Sequence, residues 1–564
     1  MDRETRRRLE AFRQNEAGPV ENALIDDLAT GELDRSEFLR RATIFGLSTS
    51  AIATALAAFG EAPLAFAGTA RGNAGGRLRL GCIPPPAHGL DPHTYADTGS
   101  LVTGNIAGEM LVRSTNKLTL IPELATKWVP NKDASVWTYT LRRGVKFQTG
   151  QEMKADDVVV TFKRLVDPNS GSQALSAFKG VLSPDGVRKV DDFTVQFHLD
   201  APAASFPYLT SSTTYQAIIL PANYQLGSFE KTPQCTGAFR LVAYTPGVGA
   251  TYERFAGWWG GQAPLDGVDL KYFSDDAAVI SALLGNQIDL VNEIHFSTGR
   301  ALFGNSNVQI FSARGATHRL VPMLTDAPPF KDFRIRQALA LTLDRPAIRK
   351  RLFNDLADLG NDSPFAPVFP ATDTSVPQRH KDIAKAKQLM AAAGKSKGFS
   401  VTLTTYKAFE LPALAQIIQS SAKAIGIRMS LRILTSAAYY AGSQLGPPRG
   451  WGTTPWLNTP INITDWGGRA VPNVYLTSSL KSKGVWNASH YSNKRFDSLA
   501  NSFIASISLK DQRKYARQLQ LLLLHDTPAI YPYFYNQLGG GSKRVRGYLA
   551  DPQGQVYLSK TSLA

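Results

Sequence analysis

Apolar and polar positions alternate at every second residue in SVWTYTL, where Trp137, Tyr139 and Leu141 fall on one side and Val136, Thr138 and Thr140 on the other. That spacing predicts a strand with one buried face. The period changes after Arg143-Gly144 and the TGQ turn. From Asp156 and Asp157 through Leu165 the apolar residues recur at helical spacing, with both carboxylates in the first turn, where the helix dipole favours negative charge. Upstream, GGRLRLGC predicts a strand behind a flexible glycine start, and PPPAHGLDPHT a loop. Downstream, FRLVAYTPG and LDGVDLKYFSD predict strands around a turn holding Trp258, Trp259, Gly260 and Gly261. DAAVISALLGNQIDLVNEI predicts a helix stopped by Gly285 and then a buried strand.

The later half repeats one theme. DFRIRQALALTLDRPAIRKRLF predicts two helices, the first with Ile335, Ala338 and Leu339 on one face, the second capped by Asp344 with Pro346 in its first turn. DIAKAKQLMAAAGKSKGFSVTLTTYK predicts helix, glycine stop and strand, and ELPALAQIIQSSAKAIGIRMSLRIL predicts the same again. The last long helix lies in DQRKYARQLQLLLLHDTPAIYPYF and closes in a proline-aromatic strand. Helices alternating with strands imply α/β lobes, and 564 residues exceed what one core can organise, so two or three lobes are expected.

One apolar stretch stands apart. Arg40 and Arg41 precede a charge-free run from Ala42 through Gly60, and APLAFAGTA then places Ala65 and Ala67 as a small-x-small processing site. This is the layout of a signal peptide over residues 1–67, cleaved near Ala67, with the adjacent arginines and mild apolarity of a twin-arginine leader; Thr43 departs from that motif. A membrane anchor is the competing reading, weakened by Ser, Thr and Gly within the run. Cys82 lies too far beyond the run for a lipoprotein site. Cleavage after Ala67 removes 8 basic and 11 acidic residues and leaves 54 against 35, a net of +19. A periplasmic, soluble mature protein is expected.

Composition narrows the chemistry. An apolar share of 43% with 33 prolines and 46 glycines fits an ordinary globular chain. The excess of 62 Lys and Arg over 46 Asp and Glu raises nucleic acid or a membrane surface as partners. No basic block, aromatic-basic repeat or zinc-finger spacing supports nucleic acid, which is not expected to bind. Two cysteines, Cys82 and Cys235, exclude a four-thiolate metal cluster; they either pair or remain buried thiols. The eight histidines are scattered with no HExxH pair. AAAGKS lacks the first glycine of a phosphate loop, since position 389 is leucine, so Lys395 reads as lying just past a helix end. No GxSxG elbow or dinucleotide fingerprint appears in the mature chain. No catalytic residue, cofactor or metal is expected.

Five phrases in order carry a resemblance: ELATKWVP with VWTYTLRRGVKFQTGQEMKADDVVVTFKRL, then CTGAFRLVAYTPG, FRIRQALALTLDRPAI, AKQLMAAAGKSKGFSVTL and HYSNKRFDSLANSF. Over roughly residues 76 to 545 the chain is similar to the solute-binding proteins of ABC importers, peptide/nickel type, called family 5. The resemblance implies an α/β two-lobed periplasmic-binding-protein clamshell of type II, cluster C-like, with an additional inserted domain. By position, lobe I takes 76–107, 222–317 and 534–564, the inserted domain 108–221 and lobe II 318–533. It implies a non-catalytic, monomeric receptor whose partners are a small-molecule or peptide ligand and the permease subunits. Closure on ligand would then be the signal read at the membrane.

The resemblance also directs attention to DWGGRAVPNVYL (465–476). In peptide-binding members the corresponding segment lines the cleft, and an aspartate three residues after a tryptophan pairs with the peptide amino terminus. Here Trp466 is followed by Arg469, and the acid-proline step is Val471-Pro472. The charge is reversed. A guanidinium fork suits carboxylate or phosphate, so Arg469 is expected to hold an anionic group, with ordinary free-amine peptides as poor ligands. The alternative is a solvated Arg469 or an ion pair with Asp465. Asp465, Gly467 and Asn473 are further candidates, Trp466 an apolar wall, and Thr98, Gly99 and Ser100 the first-lobe contacts. Trp451, Trp456, Trp466 and Trp486 crowd this part of the sequence; core packing explains most of such a cluster, and at most one or two are assigned to the cleft. A peptide, a modified peptide, an opine-like conjugate or an oligosaccharide all remain open as ligand; nickel is disfavoured because 465–476 has no histidine. An exported hydrolase or cofactor enzyme on the same fold is the rival reading.

Overall fold

The alternation at 136–141 folds as expected: Trp137, Tyr139 and Leu141 are buried in the Val136–Leu141 strand. A computed structural model of the chain describes residues 75–85, 89–232, 234–442 and 452–564, and before these 7, 9–13, 19–35, 38, 42 and 49–59. The twin-arginine pair, the processing site and Trp451 lie outside the described residues. No helix among the described residues is long and apolar enough to cross a membrane.

The chain forms two units. The first takes residues up to Ile294, then Ala301–Ala313 and Leu538–Ala564; the second takes His295–Arg300 and Arg314–Gln537.

The first unit is built on a seven-stranded sheet. Its order is Val308–Ala313, Gln537–Ser542, Leu290–Val291, Arg77–Cys82, Gly267–Tyr272, Gly249–Arg254 and Phe239–Thr245. Arg77–Cys82 alternates basic and apolar residues because Leu78 and Leu80 enter the core while Arg77 reaches Asp269 (2.7 Å) and Arg79 reaches Asp289 (2.8 Å). The Gly249–Arg254 strand, not among the elements expected above, buries Ala250 and Tyr252 between the more exposed Thr251 and Glu253 and pairs on both edges. Gly285 is the C-cap at φ −79°, and the left-handed residue that ends the Asp276–Leu284 helix is Asn286 (φ 56°), not the glycine. Cys82 and Cys235 are unpaired and buried, and burial pushes both thiols far above their ordinary pKa.

A second sheet in this unit runs Ala125–Pro130, Val136–Leu141, Thr194–His198, Val187–Asp191. The Ala155–Val166 helix presses Phe162 against Phe197 (5.0 Å), which meets Tyr139 (5.1 Å) and Phe206 (5.1 Å). Each such ring contributes about 1.5–3 kcal/mol by burial. Asp157 accepts the Lys154 and Ala222 amides, each at 2.7 Å, which fixes the helix start, while Asp156 pairs outward with Lys189 (2.7 Å).

The second unit holds two sheets. Phe399–Tyr406 runs parallel to Ile427–Leu434 and to Ile461–Asn462. The Ile383–Ala392 and Leu411–Ala422 helices that feed this sheet bury Met390, Leu414 and Ile418 in its core. Gly394 (φ 69°) and Gly426 (φ 76°) supply the left-handed turns between helix and strand that other residues resist. The other sheet runs Ala357–Leu359, Tyr533–Tyr535, His318–Pro322, Thr464–Trp466. It carries the segment singled out above.

Candidate functional site

The antiparallel register of that sheet sets His318 opposite Trp466 and Arg319 opposite Asp465. Side chains alternate across a strand, so His318 and Trp466 share one face and Arg319 and Asp465 the other.

On the first face the rings form a wall. Trp466 lies parallel to His318 (centroids 6.5 Å, 1°) and edge-on to Tyr475 (5.6 Å) and Trp486 (5.7 Å). His318 also touches Tyr475 (4.9 Å) and Tyr531 (5.0 Å). Burial drives the His318 pKa down to about 4 against the pull of its Nδ1 contact with the Ala316 carbonyl (2.8 Å), so the ring is neutral at neutral pH. Trp466 is only 7% exposed, and its Nε1 is buried without a partner. Trp456 is also buried but packs on Tyr440 (6.0 Å), so of the described tryptophans it is Trp486 that meets Trp466.

Past the strand, Gly467 is exposed, and its carbonyl accepts the Tyr475 hydroxyl (2.8 Å), which folds the loop back onto the wall. Arg469 is half-buried and donates Nη1 to the Gly468 carbonyl (3.1 Å). Among the described residues no carboxylate pairs with it. Asp465 is occupied elsewhere, accepting the hydroxyls of Tyr406 and Tyr440, the latter at 3.1 Å. The Asp465–Arg469 ion pair left open by the sequence is therefore not formed. Asn473 is half-buried just before the wide π-type turn Tyr475–Leu480, and its carbonyl accepts the Thr477 hydroxyl (2.9 Å).

The second face holds residues the sequence reading missed. Arg319 is 1% exposed, with Nε 2.8 Å from Glu410 Oε1, Nη1 donating to the Tyr535 hydroxyl (2.9 Å), and its guanidinium over Phe409 (4.9 Å) and Tyr535 (4.8 Å). Tyr533 donates to Glu410 Oε1 (2.8 Å). Phe409 is 41% exposed, meets the His295 ring at a tilt (4.6 Å, 42°) and holds φ 48°, a left-handed conformation that strains an aromatic residue. The available signal was Arg319 itself, a cation inside the fully buried strand HRLVP.

In the first unit, Thr98, Gly99 and Ser100 open the Thr98–Ala107 helix. Asp97 is the cap, accepting the Ser100 amide (2.8 Å) and hydroxyl (2.7 Å), and Thr98 donates to Glu293 (2.9 Å). A Cβ on Gly99 would lie 2.5 Å from the Ile83 carbonyl oxygen, so this helix start admits no side chain. Gly99 and Ser100 are buried, and Thr98 is half-exposed. The structure thus gathers Asp465, Trp466, Gly467, Arg469 and Asn473 on one strand and loop of the second unit, and Thr98 to Ser100 on one helix of the first. Among the described residues no group of three His, Cys, Asp or Glu is placed to hold a metal ion.

Known proteins agree with this architecture. The chain is 25% identical over 461 residues to heme-binding protein A of Haemophilus influenzae, covering 77% of this chain and 82% of that one. It is 24% identical over 517 residues to the dipeptide-binding protein of Escherichia coli, covering 86% and 94%. The crystal structure of the ABC transporter substrate-binding protein CtaP from Listeria monocytogenes superimposes with a TM-score of 0.75 at 23% identity, over 87% of this chain and all of that one, which shows a shared periplasmic-binding-protein fold of type II. The family model for bacterial extracellular solute-binding proteins, family 5, matches residues 119–488. With that match spanning well over half the sequence, the chain belongs to the family 5 extracellular solute-binding proteins.

Proposed function

We propose that the protein captures a peptide-like or otherwise organic solute bearing an anionic group, and that Arg469 is the residue that holds it. As a family 5 member the chain is the substrate-binding component of an ABC importer and works outside the cytoplasm. One observation carries the proposal: a half-buried guanidinium with no carboxylate partner among the described residues, at the end of the Trp466 aromatic wall. A fork of donors in partly dry surroundings favours carboxylate or phosphate and disfavours ammonium. Gly467 and Asn473 offer backbone groups beside it, Asp465 is held by Tyr406 and Tyr440 on the other face of the sheet, and Thr98 is the half-exposed member of the first-unit group. Gly99 and Ser100 contribute through backbone placement, since Ser100 is engaged in its own cap.

The same reading includes export by a twin-arginine leader cleaved near Ala67 and delivery of an unaltered solute to the permease by a monomer. Its lobes are 76–107, 222–317 and 534–564 for the first, 318–533 for the second, and 108–221 for an inserted domain. The relatives named for heme and for dipeptides support a receptor role over catalysis.

The test is a binding panel on the freshly purified protein, after native mass spectrometry has identified any retained ligand. Free-amine di- to pentapeptides, their N-acylated forms and small dicarboxylates are compared by thermal shift and calorimetry. Anionic or N-blocked ligands are expected to raise the melting temperature without turnover. Tight binding of free-amine peptides that Arg469→Ala leaves intact overturns the role given to Arg469; turnover of any ligand overturns the receptor reading.

A further inference from the structure

We infer that the first unit carries a second small-molecule site, remote in sequence from the Arg469 segment, that takes an amino-acid-sized zwitterion. The site is a cavity of about 250 Å³. That is smaller than the ~300–1,000 Å³ typical of drug-sized ligands. Its lining comes from the end of the Thr98–Ala107 helix, the Glu109–Glu123 region, the Trp258–Gly260 turn and residues Val556–Lys560.

Its acidic side is anchored. Glu109 has both oxygens fixed by the Trp258 and Trp259 indole N–H groups, 2.8 Å each, with the Thr236 hydroxyl also at 2.8 Å. Glu123 is 6% exposed and spends only Oε2, on the Met110 amide (3.0 Å); no other donor reaches its carboxylate among the described residues. Beside it, Asn105 is 5% exposed and gives its amide nitrogen to Gln555, while its Oδ1 is buried with no partner. Two nearly buried residues lining the same space thus keep acceptors in reserve. A buried acceptor left without a donor loses its hydration uncompensated, so the geometry asks for donors from something inside.

The same lining carries bases, and the Arg113 charge acts on Glu123. Arg113 lies over the Tyr557 ring (5.1 Å) with no carboxylate in ion-pair range among the described residues, and Lys560 is exposed at the rim. Arg142 lies on the Trp259 ring (4.1 Å) and donates to the Glu123 carbonyl (2.9 Å); its charge acts on Glu109 and Glu123, but its hydrogen-bonding is directed at the backbone. Glu109, its carboxyl pushed up to about 8 by burial and by Glu123, is already spent on three donors, so the open polar groups are the acceptors of Glu123 and Asn105 and the cations of Arg113 and Lys560. A ligand with an ammonium for the Glu123 and Asn105 acceptors and a carboxylate for Arg113 and Lys560 answers both, and the tryptophans supply an apolar, cation-tolerant wall.

The experiment uses the full exported chain labelled with 5-fluorotryptophan, titrated with individual free amino acids and followed by fluorine NMR and calorimetry. The Trp258 and Trp259 resonances, assigned through Trp258→Phe and Trp259→Phe, are expected to move saturably while that of Trp466 stays still. Glu123→Gln should weaken binding about tenfold or more. Lys560→Met changes an exposed side chain and leaves the fold intact; it should weaken amino acids while leaving the matching decarboxylated amines unaffected. Movement of Trp466 instead, equal binding of amines and amino acids to the unmutated chain, or no saturable response from any amino acid overturns the assignment.

Discussion

Arg319 and Asp465 stand opposite each other on paired strands, yet neither satisfies the other: the guanidinium is held by Glu410 at 2.8 Å and the carboxylate by two tyrosine hydroxyls. Each has its own hydrogen-bond partners on one face of the sheet, and the Asp465 charge still acts on Arg319 beside that of Glu410.

Glu410→Ala leaves Arg319 buried and uncompensated. We expect a loss of about 3–5 kcal/mol, the cost of stranding a buried charge. The double variant Arg319→Met with Glu410→Leu should recover most of that loss, because hydrophobic residues of similar volume replace the ion pair without its desolvation cost. Urea unfolding followed by tryptophan fluorescence reads both. A double variant as unstable as the single one contradicts the account.

Trp466 separates packing from hydrogen bonding. Its Nε1 has no partner, so Trp466→Phe should cost much less than Trp466→Ala, which opens a cavity against His318, Tyr475 and Trp486 and should cost about 3–5 kcal/mol. Comparable losses in thermal denaturation would reveal a partner for the indole N–H.

Arg469 should behave as a binding residue and not as a structural one. Its side chain makes only a local contact with the Gly468 carbonyl, so Arg469→Ala is expected to change stability by no more than ~0.5 kcal/mol. Affinity for an anionic ligand should fall at least tenfold, about 1.4 kcal/mol, in calorimetry. A large loss of stability with unchanged affinity would reassign the residue to the scaffold.

Asp551 predicts a pH dependence. It is 4% exposed, and burial pushes its carboxyl up to about 7, against the pull of the Gln553 amide (2.8 Å) and the Gln555 amide (3.3 Å). A folded pKa above the unfolded one means the native state holds the proton more tightly. Stability from this group is therefore full below about pH 4 and is lost as pH rises toward about 7. The buried pair Glu109 and Glu123 is also raised, by burial first, and adds to the same trend. Asp551→Asn should flatten part of the decline in melting temperature between pH 4 and 7; an unchanged slope would remove Asp551 from the explanation.

Periodicity made much of this architecture readable. The Val136–Leu141 strand, the Ala155–Val166 helix with its acidic start, and the two helix–glycine–strand units around Gly394 and Gly426 follow from side chains that obey one period and from glycines with one conformational task. The Gly249–Arg254 strand was missed although Ala250 and Tyr252 alternate with Thr251 and Glu253, because two buried positions make a short signal beside the longer strands that pair on both its edges. The site divides along the same line. Trp466 and Arg469 were visible as a charge reversal within a short segment. Glu410, Phe409 and Tyr406 were not, because they meet Arg319 and Asp465 only through the sheet register and the loop before the Leu411–Ala422 helix.

The Gln537–Ser542 strand lies between Val308–Ala313 and Leu290–Val291 in the first unit, although the ribosome makes it after the whole of Arg314–Gln537. Until it emerges, Leu290–Val291 and Val308–Ala313 lack the neighbour that joins them, while the second unit already has nearly all of its chain. Assembly during synthesis thus runs against sequence order, with the later-made unit able to mature first. A nascent chain halted just short of residue 537 should protect the second unit from protease and leave the first open to digestion.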